Sequence, residues 1–148
     1  VYRRVKNARR QIILYNLHTG TTSVIAHSRL RTDLGPPDIS YPRVVYHRTT
    51  AGSSSITVYR IDRDSSRSPR TTKIDSYFNP SIDGTSVTYI RQTLQGMKVE
   101  VLNLRTSRSR AIYSVNKGSG RFLWTTAIFG DRRYFTVYNS TTSSIHRG

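Results

Sequence analysis

The stretch NPSIDGTSVTYIRQTLQGMKVEVLNLRTSRSRAI, Asn79 to Ile112, reads as one complete four-stranded antiparallel unit. Ile82 ends a short inner strand. Asp83-Gly84 has the composition of a tight turn, whose central positions favour residues that tolerate positive φ. Val87 to Arg91 is a β-rich run, Gln92 to Gly96 a polar loop closed by glycine, and Lys98 to Leu104 a third strand. Arg105-Thr106-Ser107 turns that strand, and Arg108 to Tyr113 returns.

The rest of the chain repeats this unit. Tyr2, Tyr46, Tyr89 and Phe135 hold one place in the second strand, at intervals of 44, 43 and 46 residues. Ile12, Ile56, Val99 and Ile145 open the third strand at the same three intervals, and Leu17, Ile61 and Leu104 close it. Ile39, Ile82 and Ile128 mark the first strand, spaced 43 and 46. A period of about 40–45 residues with four strands per repeat is the pattern of propeller blades. Helical repeats of that length would need apolar residues at 3.6 spacing. These runs are short, rich in Val, Ile, Thr and Tyr, and bounded by Gly, Pro, Ser and Asn.

The expected fold is therefore all-β, a segment of a β-propeller over residues 1–148, with blades at about 1–27, 37–75, 78–114 and 121–148. In the first, Val1–Arg4 is a second strand, Gln11–Leu17 a third and Thr22–Ala26 an outer strand, with no inner strand. In the second, Tyr41-Pro42 stands in the place of Asp83-Gly84, Thr49–Ser54 is a flexible loop, and Arg63–Pro69 is a long turn. Gly35-Pro36-Pro37 falls in the crossing before it, because proline cannot donate inside a paired strand. In the fourth, Trp124–Phe129 is the inner strand and Gly130-Asp131 the turn, and a third strand begins at Ile145.

Two whole blades flanked by two partial ones cannot close a ring of about four to eight blades. The ragged ends duplicate strands more than they complement them, which argues against completion by a simple dimer. The chain opens on Val1 and shows no signal peptide, so a larger protein is expected to supply its missing N-terminus. The remaining blades are expected from that same protein or from an oligomer partner.

The composition is strongly basic: 24 Lys+Arg, twenty of them arginine, against 8 Asp+Glu, a net charge of +16. Such a balance suits a polyanion such as nucleic acid or acidic polysaccharide, or simply solubility. There is no cysteine, which excludes disulfides and thiolate metal sites. No apolar run reaches the ~18–20 residues of a membrane span.

The third repeat, with Asn79-Pro80-Ser81-Ile82-Asp83-Gly84, Val87-Thr88-Tyr89 and Val99 to Thr106, resembles the TolB-type WD40-like repeat. Tyr15-Asn16-Leu17-His18-Thr19-Gly20 matches the closing Leu-x-Thr-Gly turn of that pattern. Tyr41-Pro42 and Gly130-Asp131 depart from it where Asp-Gly is expected. The resemblance implies a bacterial, often extracytoplasmic propeller that acts as a protein-interaction platform. Related propellers cap serine-peptidase domains. The repeats are structural, so no catalytic residue carries over.

Residues capable of chemistry are sparse. His18, His27, His47 and His146 have no metal-ligand spacing, no Gly-x-Ser-x-Gly elbow or Walker loop occurs, and Glu100 is the only glutamate. No catalytic residue, metal site or cofactor is assigned. Arg4, Arg48 and Arg91 each follow an aligned tyrosine by two residues, which returns to the same strand face. They are the candidate anion-binding set, an arc of three planar forks. The bland alternative packs each stem on its tyrosine with the head in water. Arg63, Arg67, Arg70, Arg105, Arg108 and Arg110 form a second basic set at the turns after the third strands, on the opposite face. Trp124 is expected in the core. Three functional readings follow: a non-catalytic scaffold for a protein partner, a polyanion binder, and a propeller cap for an enzyme whose catalytic domain lies outside this chain.

Overall fold

The computed structural model describes every residue except Leu30. Strands β1 (Tyr2–Lys6), β2 (Arg9–Tyr15) and β3 (Thr22–His27) form a first sheet. The second contains β4 (Asp33–Leu34), β5 (Asp38–Ser40), β6 (Arg43–Thr50), β7 (Ser53–Arg60) and β8 (Ser65–Thr72). The third is β9 (Ser76–Asp83), β10 (Ser86–Thr93), β11 (Gly96–Asn103) and β12 (Arg108–Asn116). The fourth is β13 (Phe122–Phe129), β14 (Arg132–Tyr138) and β15 (Ser143–Arg147). All pairings are antiparallel meanders, and the described residues contain no α-helix, only a 3-10 turn at Ile61–Arg63. This is a partial β-propeller.

Alternation along each strand sends one set of side chains to the sheet before and the other to the sheet after. Val44 and Tyr46 of β6 pack with Ile12 of the first sheet, while Val45 of the same strand packs with Tyr89 and Ile82 of the third. In β10, Val87 and Tyr89 face the second sheet and Ile90 faces Leu123, Phe135 and Val137 of the fourth. Three apolar seams thus join four sheets.

This arrangement explains where the repeating columns stay dry. The column of Tyr46, Tyr89 and Phe135 always faces the preceding sheet, and these three are at most 3% exposed. Tyr2 occupies the same place with no preceding sheet, and is 43% exposed. The column of Ile12, Ile56 and Val99 faces the following sheet and is fully buried; Ile145, at the last sheet, is 76% exposed. Leu104 is buried against the second sheet, whereas Leu17 is 90% exposed. The pattern of residues is regular; the cover is not.

Several local expectations are corrected. The second-to-third-strand loops are tighter than expected: Thr50 pairs with Ser53 and Thr93 with Gly96, leaving two-residue turns. The Thr50 hydroxyl accepts the Ser53 amide (3.1 Å) and the Thr93 hydroxyl accepts that of Gln95 (3.2 Å), which holds the strands together to their ends. Arg63–Pro69 is not a long turn, because β8 starts at Ser65. Pro69 lies opposite the shift in register between Ile56 and Val58, on an outer edge strand, where its missing amide costs no ladder bond. The second sheet's inner strand already begins at Asp33, and Gly35-Pro36-Pro37 interrupts it between β4 and β5. The third strand of the fourth sheet starts at Ser143, two residues before Ile145.

The inner hairpin turn of the third sheet sits one residue later than the composition suggests, whereas those at Tyr41-Pro42 and Gly130-Asp131 lie where expected. Asp83 pairs with Ser86, so Gly84-Thr85 are the central residues, with Gly84 at φ 55°. Gly130-Asp131 is the equivalent pair between Phe129 and Arg132, with Gly130 at φ 59°. Gly84 and Gly130 are thus the same repeat position, and the departure of the fourth repeat reduces to Phe129 in the place of Asp83. Positive φ at the first central residue is the reason for glycine there.

Candidate functional site

The inner strands converge on an axial cleft of about 460 Å³, lined by Pro37, Asp38, Pro80, Ser81, Trp124 and Thr126, among others. Polar side chains stitch one inner strand to the next around it. The Asp38 carboxylate accepts from the Ser81 hydroxyl (2.7 Å) and the Ile82 amide (2.8 Å). Ser40 accepts the Gly84 amide at 2.8 Å, and its repeat equivalent Asp83 accepts the Gly130 amide at 2.5 Å. The aspartate of the Asp-Gly pair therefore serves the next sheet's turn. Thr126 donates to the Asn79 carbonyl at 2.8 Å.

Trp124 is 65% exposed, which corrects its expected place in the core. It follows Leu123 at the shift in register of β13, so that Leu123 points into the seam and the indole points out. The indole meets Tyr138 edge-on, and Phe122 stacks on Tyr138 at 5.3 Å between centroids. With Phe129 and Ile145 they make the outer face of the fourth sheet markedly apolar. Tyr2, Tyr15 and Val24 do the same for the first.

Arg4, Arg48 and Arg91 occupy equivalent register positions, opposite Gln11, Ser55 and Lys98. Their surroundings differ. Arg4 donates to the Gln11 side-chain oxygen (2.8 and 3.1 Å). Arg91 bridges Asp75 at 2.7 Å and Glu100 at 3.2 Å, which together hold it above the usual arginine range. Arg48 is half-buried and has no hydrogen-bonded side-chain partner among the described residues. Of the second basic set, Arg67, Arg70, Arg108 and Arg110 lie in strands β8 and β12, and only Arg63 and Arg105 remain in turns.

Composition offered no hint of the network behind Arg91. Glu100 is buried and accepts the Tyr89 hydroxyl at 2.5 Å, while Tyr77 packs edge-on against Tyr89 at 5.3 Å. Burial, and then the bond to Glu100, push the Tyr89 phenol well above its ordinary range. The signal lay in the register: Glu100 is directly opposite Tyr89. His47 is the one buried histidine, accepting the Asn79 amide at Nδ1 (3.3 Å). Among the described residues, no three His, Cys, Asp or Glu gather to hold a metal ion, and no helix is long and apolar enough to cross a membrane.

No protein-family model matches the sequence, and no curated protein sequence does. Solved structures do. A TolB-type protein from Agrobacterium tumefaciens superposes on 97% of the chain with a TM-score of 0.73 at 15% identity. The fold is that of a TolB-like β-propeller. The chain spans about half of that TolB-type structure, 54% of its length. Beside TolB stand enzymes that contain such propellers. A puromycin-hydrolysing peptidase from Mycobacterium tuberculosis matches 94% of this chain over 24% of its own length, with a TM-score of 0.65 at 13% identity. An oligogalacturonate lyase solved with manganese matches 94% over 42% of its length, with a TM-score of 0.58 at 15% identity. At these identities the likeness to TolB and to the enzymes is one of fold.

Proposed function

We propose that the chain is a non-catalytic, TolB-like propeller segment that works as a scaffold for a protein partner. The observation that carries this reading is the pair of apolar end faces. Phe122, Trp124, Phe129 and Ile145 at one end, and Tyr2, Tyr15 and Val24 at the other, are each 43–78% exposed. Contiguous apolar surface of this kind marks protein contact. The partner covers the face of Trp124 and Phe129, and further blades of the same protein or an oligomer partner cover the face of Tyr2, Tyr15 and Val24. Photo-crosslinking groups placed at Trp124 and Phe129 in the whole protein, with Thr106 as control, test this. Adducts with one defined protein, absent from the control, support it; adducts only with nucleic acid or polysaccharide would replace it.

The polyanion reading rests on the net charge of +16 and on Arg48, with Arg4 and Arg91 at equivalent positions. The cap reading rests on the peptidase likeness, where the matched propeller is a minor part of a longer chain. An appended hydrolase domain in the full-length protein decides for it.

A further inference from the structure

The second and third sheets splay apart at the end that carries their third-to-fourth-strand turns, leaving a cleft of about 340 Å³. Five arginines line it: Arg43, Arg60, Arg63, Arg67 and Arg105. Three of them share one sheet face for a reason visible in the register. Arg43 and Arg60 are direct cross-strand partners, and Arg67 pairs with Val58, whose side chain faces the third sheet. Arg43 stands two residues before Val45 and Arg60 two after Val58, which puts both on that same face. Like charges directly opposed across a strand pair are unfavourable. One carboxylate answers them: Asp62 pairs with Arg60. No acidic residue lines the cleft.

The guanidiniums are held but far from saturated. Arg67 gives one N–H to the Leu104 carbonyl at 2.8 Å, and Arg43 makes a long contact of 3.4 Å to the Gly84 carbonyl. Each guanidinium carries five donors. Arg63 and Arg105 have no side-chain hydrogen bond among the described residues. Burial first, and then Arg60, Arg67 and Arg105, pull Arg43 below the usual arginine range, with only Asp62 opposing. The cleft thus holds unneutralised positive charge, anchored at its base by Arg43 and Arg67.

We propose that this cleft binds a doubly charged tetrahedral oxyanion, the phosphate or sulfate group of a small ligand or of a longer chain. One carboxylate would leave most of the charge unanswered, whereas a tetrahedral dianion offers several acceptors to forks converging from two sheets. The site stands apart from the scaffold reading and narrows the polyanion reading to residues outside the arc of Arg4, Arg48 and Arg91.

The test is calorimetric titration of the full chain with inorganic phosphate and, separately, inorganic sulfate at about 0.15 M salt. R63Q/R105Q removes the two guanidiniums that make no side-chain bond and should leave the melting temperature unchanged. Affinity for both ions is expected to fall about tenfold or more. R121Q/R132Q, a charge-matched change on the fourth sheet, is expected to leave it unchanged. Affinity for inorganic phosphate falls between about pH 8 and 6 as the second proton returns, whereas affinity for sulfate does not, as a preference for the dianion requires. No binding of either ion, or equal losses in the two double variants, overturns the proposal. Heparin binding that persists without small-ion binding overturns the cleft and leaves the polyanion reading intact.

Discussion

The imidazole of His47 occupies the space that any side chain at position 35 would need. A Cβ built on Gly35 lies 1.8 Å from Cε1 of His47, while the Gly35 amide donates to the His47 carbonyl at 3.0 Å. Gly35 interrupts the second sheet's inner strand between β4 and β5, so the close approach fixes how that strand meets β6. The ring in turn reaches the third sheet through the Asn79 amide and packs edge-on to Phe78 at 5.9 Å.

Gly35→Ala is therefore expected to destabilise the chain by about 3 kcal/mol, since a buried ring must move in a packed seam. In urea unfolding, His47→Ala combined with Gly35→Ala recovers part of that loss. Additive losses in the double variant would contradict the steric account.

Stability falls as pH drops below about 6.5. Burial, and then Arg3 and Arg10, depress the His47 pKa to about 4. The unfolded chain takes up its proton near 6.5, the folded one only near 4, so the stabilisation present at neutral pH is lost across that window. The full loss amounts to about 3 kcal/mol. His47→Gln, followed by denaturant melts from pH 7 to 4, removes most of this slope.

Tyr89→Phe deprives buried Glu100 of a short hydrogen bond and costs about 1.5–3 kcal/mol. A double-mutant cycle with Glu100→Gln gives a coupling of about 1 kcal/mol or more. Because the folded phenol titrates above its unfolded value, its contribution holds below about pH 10 and disappears at higher pH. Absorbance titration of native Tyr89→Phe finds one fewer late-ionising tyrosine than native wild type, with Tyr46, Tyr59 and Tyr77 still raised.

The isolated chain is expected to associate in sedimentation velocity, because both end faces are apolar. Trp124→Lys with Ile145→Lys reduces association and changes monomer stability by no more than about 0.5 kcal/mol. Val45→Lys, in the seam between the second and third sheets, unfolds the chain instead. A monodisperse wild-type monomer with a cooperative melt argues against this account.

Replacing Arg4, Arg48 and Arg91 with Gln separates two roles for the arc. Arg4→Gln and Arg48→Gln weaken heparin binding and flatten its salt dependence, as fewer counterions are released. Arg91→Gln lowers stability as well, because Asp75 and Glu100 both lose their cation. No measurable heparin binding at about 0.15 M salt removes the polyanion reading.

Strand order and seams were legible in the residues because alternation and a 43–46-residue period are local properties. The column of Tyr46, Tyr89 and Phe135 needed only counting. Each column member was set to face one neighbour, and its burial followed from whether that neighbour exists. Val45 and Ile145 look equally apolar in the sequence, yet one is fully buried and the other 76% exposed. Turn register escaped composition, because Asp83-Gly84 and Gly84-Thr85 are told apart only by which residues pair. The arginine cleft was legible only in part: Arg63, Arg67 and Arg105 fall in the second basic set, but Arg43 and Arg60 do not. Arg43, Arg67 and Arg105 are scattered over 63 residues, and only the packing of two sheets brings their charges into one field. Backbone periodicity is written along the chain; the convergence of charge depends on distances that folding alone creates.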